Sequence, residues 1–151
     1  MKNRFATALA TLLIFICAFS ARAQFDIYGT TTAVAIATNN IVSATVTNVG
    51  ADVHGYVGQP VILLCYTNSG GDNPTLGVRL QTSASLATGY TDIPGASFTQ
   101  ITNAAAGAAG IVTIGISPGA VSKYVRAVQT VGGTNPVFQT SITLIGRLKY
   151  N

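Results

Sequence analysis

From position 31 onward the apolar side chains fall in short runs, and several of these runs alternate with polar residues at a period of two. Leu76, Val78 and Leu80 point one way along an extended chain, and Gly77, Arg79 and Gln81 point the other, as in a strand with one buried face. Val112, Ile114 and Ile116 alternate in the same way with Ile111, Thr113 and Gly115, and Phe138, Ile142 and Leu144 with Gln139, Ser141 and Thr143. These residues are the expected core. Val, Ile, Thr, Tyr and Phe fill the runs, Gly, Asn, Pro and Ser separate them, and no long segment has the spacing of an amphipathic helix. Strands are predicted over 31–38, 41–49, 59–67, 75–83, 97–102, 111–117, 121–131 and 137–145. The expected fold is all-β: a single antiparallel β-sandwich, jelly-roll-like or Ig-like, of about eight strands.

One run does not alternate. Val61-Ile62-Leu63-Leu64-Cys65-Tyr66 suits a strand covered on both faces, by a second sheet plus a loop or by a neighbouring subunit. It is the first candidate for a contact surface. The turns follow from their residues: Asn39-Asn40 predicts a tight hairpin, residues 68–74 a longer flexible loop, and Asp92-Ile93-Pro94-Gly95 a type II turn. The alanine-rich piece 103–110 reads as a loop because of Gly107 and Gly110. Gly132-Gly133-Thr134-Asn135-Pro136 predicts a hairpin turn that returns 137–145 beside 121–131. On the outgoing strand Val125, Ala127 and Val131 look inward, leaving Tyr124 and Arg126 together on the outer face. That pair is either a protein contact or a Tyr lying on the sheet under a solvated Arg.

The N-terminus changes the charge picture. Lys2 and Arg4 precede the apolar run 5–19, and Ala21-Arg22-Ala23 supplies a small-residue ending, so residues 1–23 read as a signal peptide and residues 24–151 as one β-sandwich domain. At about fifteen residues the run is shorter than the roughly twenty that span a bilayer, so no stable membrane span is expected after cleavage. The mature chain then keeps Arg79, Lys123, Arg126, Arg147 and Lys149 against Asp26, Asp52, Asp72 and Asp92, a net charge of one. No basic stripe remains for nucleic acid. Only 8% of the whole chain is charged, against about 25% for soluble domains, which points to a surface that meets other protein. Cys65 would be the one remaining thiol, read either as a small buried hydrophobe or as an intermolecular bridge or reactive group.

Catalytic groups are scarce. The one histidine, His54, lies two residues from Asp52, and this pair is the sole constellation for base chemistry; otherwise it is two polar residues entering a strand. Glu is absent, and the four aspartates are spread along the chain, so no carboxylate pair is expected. His54 and Cys65 do not make a transition-metal site, and Asp72-Asn73 lacks the spacing of a calcium loop. Gly70-Gly71 and Gly132-Gly133 do not open helices that would cradle phosphate. The expectation is no catalytic residues, no metal, no cofactor and no enzyme.

Three segments carry a family resemblance: Leu80-Gln81-Thr82-Ser83, the stretch 90–102 from Tyr90 through Asp92-Ile93-Pro94-Gly95 to Thr102, and the stretch 123–136 from Lys123-Tyr124-Val125-Arg126 to Gly132-Gly133-Thr134-Asn135-Pro136. Here the chain resembles small structural proteins of tailed-phage virions, of the head or decoration type, fused to an export-type N-terminus. The resemblance covers roughly the C-terminal half and implies a β-sandwich subunit of a larger particle, with no catalytic residues to transfer. The expected function is a non-enzymatic structural protein that self-associates or decorates a capsid-like assembly, exported or in a virion. The alternative is a secreted binding or adhesion module that presents residues 68–74 and 132–136 as loops to a glycan or a cell-surface partner.

Overall fold

The computed structural model of the chain describes residues 31–102 and 106–148. The expected leader, 1–23, lies outside the described residues, as do 103–105 of the expected alanine-rich loop. Eight strands form one hydrogen-bonded antiparallel sheet: β1 (Thr31–Val42), β2 (Val46–Thr47), β3 (Ala51–Asp52), β4 (Tyr56–Ser83), β5 (Thr91–Ser97), β6 (Ile101–Thr102), β7 (Ala109–Gly115) and β8 (Tyr124–Leu148). A 3-10 turn at Pro118–Ala120 precedes β8.

β4 has 28 residues and β8 has 25, and they pair with each other over nearly their whole lengths. Both bend midway, so each serves two layers. The first layer is β1, the second half of β8, the first half of β4, and β7. The second is β2 and β3, the first half of β8, the second half of β4, then β5 and β6. Ile62, Leu64, Phe138, Ile142 and Leu144 of the first layer and Leu76, Val78, Leu80, Val125 and Ala127 of the second join one buried cluster. The fold is thus an all-β antiparallel sandwich around a single core, with the alternation at 76–80 and 138–144 facing as the sequence predicts.

The bend corrects two expectations. Residues 132–136 do not turn a hairpin, and 68–74 are not a loop; both are the middles of continuous strands that pair with each other, with Asp72 opposite Thr134. The tight type I′ hairpin turn needs two consecutive residues at positive φ. Here they are separated: Gly71 (φ 111) and Asn73 (φ 49) in β4, Gly133 (φ 101) and Asn135 (φ 49) in β8. Such residues bulge and bend a strand without reversing it, and three register shifts occur between Asn68 and Thr75. The two corners nest reciprocally. A Cβ on Gly71 would stand 2.8 Å from the Asn135 carbonyl oxygen, and one on Gly133 would stand 2.6 Å from that of Asn73.

Two further turns also differ. β1 runs through Asn39-Asn40 with a bulge and no hairpin, because Asn40, Ile41 and Val42 keep their pairing with Thr140, Gln139 and Phe138. The expected strand 97–102 is instead the end of β5 plus the short β6. The Pro94-Gly95 corner does place Gly95 at φ 73, inside a wide bulge of β5 that tucks Ile93 and Ala96 into the core.

One polar network is built into the interior. Gln129, fully buried in the second layer, donates from Nε2 to Asn48 Oδ1 at 3.0 Å and accepts at Oε1 from the Thr140 hydroxyl of the first layer at 2.7 Å. No buried side-chain nitrogen or oxygen among the described residues lacks a partner. A satisfied network of this kind fixes how the two layers meet.

Candidate interaction surface

The two outer faces differ in chemistry. Across the second layer, Arg79 Nε lies 3.2 Å from Asp92 Oδ1, Gln81 Nε2 donates to the same oxygen at 2.8 Å, and Arg126 Nε donates to Gln81 Oε1 at 2.9 Å. Strand pairing sets this ladder, since Gln81 stands between Asp92 of β5 and Arg126 of β8. The Arg126 guanidinium also stacks on the Tyr90 ring, 3.9 Å from its centroid. Tyr90 in turn closes over Gly50, where a Cβ would collide with its hydroxyl. Tyr124 and Arg126 share this face as expected, but the aromatic partner of Arg126 is Tyr90. Tyr124 instead sits under Lys123, whose Nζ is 5.2 Å from the ring centroid. The Tyr124 hydroxyl, and then the Asp52 carboxylate, hold the Lys123 ammonium above its ordinary range. Five of the seven charged residues described, Asp52, Arg79, Asp92, Lys123 and Arg126, therefore belong to the second layer or its margin.

Among the described residues, the outer face of the first layer has no such groups. Directly paired residues point the same way, so successive rows can be read across β7, β4, β8 and β1. They are Gly115, Val61, Ile145 and Ala33; Thr113, Leu63, Thr143 and Ala35; then Ile111, Cys65 and Ser141; and Ala109, Thr67, Gln139 and Ile41. None is charged, and Arg147 marks the margin one step beyond Ile145. Ile41 is 72% exposed, Ile111 70% and Val61 38%. A shallow open depression runs over Cys65, Thr67, Ile111, Gln139 and Ser141.

This face accounts for the run 61–66. Ile62 and Leu64 are fully buried inward, whereas Val61, Leu63 and Cys65 lie on the outer side with no second sheet or loop over them among the described residues. The cover by a second sheet plus a loop that the sequence suggests is thus not seen over these residues among the described ones. Cys65 is half-buried, at the centre of the face.

The other candidate residues do not converge. Asp52 accepts the backbone N–H of His54 at 2.8 Å, so its carboxylate caps a turn. His54 is exposed at the rim of a cleft of ≈ 440 Å³ that it shares with Tyr56, Ser122 and Lys123 over an apolar floor of Val53 and Leu144. Among the described residues no group of three or more His, Cys or Asp could hold a metal ion. No described helix is long and apolar enough to cross a membrane. Asp72 and Asn73 lie exposed on the β4 corner. The segments that a binding module would present as loops are therefore paired strands.

No family model matches the chain, and no curated protein matches it either. Among solved structures, a chain in the structure of infectious bursal disease virus Gx strain is similar, with 13% identity and a TM-score of 0.41 over 77% of this chain. This protein spans 31% of that chain's length.

Proposed function

We propose that the protein is a non-enzymatic structural subunit that self-associates through the outer face of its first layer, as a component of a larger assembly such as a virion. The observation that carries this reading is the separation of charge between the two outer faces. When a surface meets its own copy across a two-fold axis, a charge near the axis is brought close to its like, and a face with no charge incurs no such repulsion. The same face exposes Ile41, Val61 and Ile111, interspersed with uncharged Thr, Ser, Gln and Ala, a composition that a protein contact can cover without burying charge. Exported placement through residues 1–23, or assembly in a virion, belongs to the same proposal.

The test is light scattering on the chain and on Ile111→Lys, which places a charge on the face beside Cys65, at a residue already 70% exposed. The wild type is expected as an oligomer, and the variant as a folded species of lower mass. An equally folded variant that keeps the wild-type mass would exclude this face.

A further inference from the structure

We infer that β7 is an open sheet edge that pairs antiparallel with β7 of a second copy, joining two first layers into one continuous sheet. The inference rests on the self-association reading and specifies its geometry. An unpaired edge strand is a template for another chain, and folded proteins block it with short strands, bulges, proline or charge. Every other edge among the described residues carries such a block. β2, β3 and β6 have two residues each. β1 is broken by register shifts at Ala35/Ala37 and Ala37/Asn40. β5 contains Pro94, Asp92 and a bulge.

β7 has none of these. Its seven residues, Ala-Gly-Ile-Val-Thr-Ile-Gly, hold no charge and no proline, and they pair with β4 without a register shift from Ala109 to Gly115. The polarity of its free edge follows from the hydrogen bonds on either side, where Asn68 N donates to the Ala108 carbonyl and Ile116 N donates to the Pro60 carbonyl. In an antiparallel pair these bonds alternate, so even-numbered residues bond to β4. The N–H and C=O groups of Ala109, Ile111, Thr113 and Gly115 face outward.

Those four residues are self-complementary. With Val112 opposite its own copy, Ile111 pairs with Thr113 and Ala109 with Gly115, so all four meet partners and an Ile–Thr contact flanks the axis. Area favours a second copy as the occupant. Four strands of seven residues give a first-layer face of about 440 Å², from spacings of ~4.8 Å and ~3.3 Å, roughly half of the ~800 Å² per partner typical of a stable interface. Edge pairing doubles the uncharged face to about 880 Å², enough for one pair of subunits to stack on another.

The test is Thr113→Pro in the full chain. Its N–H faces outward, so proline removes no bond to β4, and edge strands tolerate proline. Wild-type circular dichroism with a mass reduced to that of one chain is the expected result. An oligomeric wild type together with an equally oligomeric, folded Thr113→Pro would overturn edge pairing while leaving self-association intact; a monomeric wild type would overturn both. Should Thr113→Pro fail to fold, Val112→Cys with Cys65→Ser decides. Opposed Cα atoms at a non-hydrogen-bonded pair lie about 4.5 Å apart, within disulfide range. Oxidation is expected to link two chains through position 112, and an oligomer that stays unlinked would overturn the register.

Discussion

The reciprocal corners offer a sharp energetic test through Gly133→Ala. At φ 101 an L-residue is strained, at a cost of about 1–3 kcal/mol. The new Cβ would also stand 2.6 Å from the Asn73 carbonyl oxygen and 2.8 Å from that of Asp72. Both are backbone atoms that move only if the β4 corner moves, and such overpacking adds about 1–3 kcal/mol. The combined loss is about 2–6 kcal/mol, a fall of roughly 10 °C or more in Tm for a domain of this size. Two controls separate the contributions. Gly95→Ala has φ 73 and nothing within 4 Å, so it carries strain without collision; Gly119→Ala has neither and is expected to be neutral or slightly stabilising. Urea unfolding monitored by circular dichroism measures all three. If Gly133→Ala lost no more than Gly95→Ala, the corners would not be in contact, and 68–74 and 132–136 would be the separate turns that the sequence suggests.

Phe138 is fully buried, and Phe138→Ala is expected to cost about 3–5 kcal/mol in the same urea assay. Thr140→Val keeps volume but leaves Gln129 Oε1 without the hydroxyl 2.7 Å away; unfolding should show a loss of about 1–3 kcal/mol. Arg79→Ala breaks an ion pair whose side chains are 50% and 61% exposed, so its effect on stability should stay under about 1 kcal/mol and shrink further in high salt. N-terminal sequencing of exported product is expected to begin at Gln24.

Much of the fold was legible because alternation encodes a buried face directly: the inward sets at 76–80 and 138–144 were identified on that ground. The connectivity was not legible, because Gly, Asn and Pro serve hairpins and strand bulges alike. A signal was present nonetheless. The pattern Gly-Gly-X-Asn-Pro occurs at 70–74 and again at 132–136, and a repeated pattern of turn residues predicts equivalent structures, as the nested corners are. The run 61–66 marked a strand whose inward side chains, Ile62 and Leu64, are buried. What could not be read from it was which outer face lacked charge, since that depends on Arg79, Gln81, Asp92 and Arg126 meeting across three strands. Tyr90 was hidden for the same reason, as its partner Arg126 is distant in the chain and adjacent only after pairing.

Cys65 gives the most direct measurement of the central claim, because the thiol sits at the centre of the uncharged face. In a Cys17→Ser background, thiol-labelling rate and light-scattering mass are followed together as protein concentration rises. The account predicts that labelling slows in step with the growth in mass. A mass that grows while Cys65 stays equally reactive would place the contact elsewhere, and a mass that remains that of one chain at every concentration would contradict self-association itself.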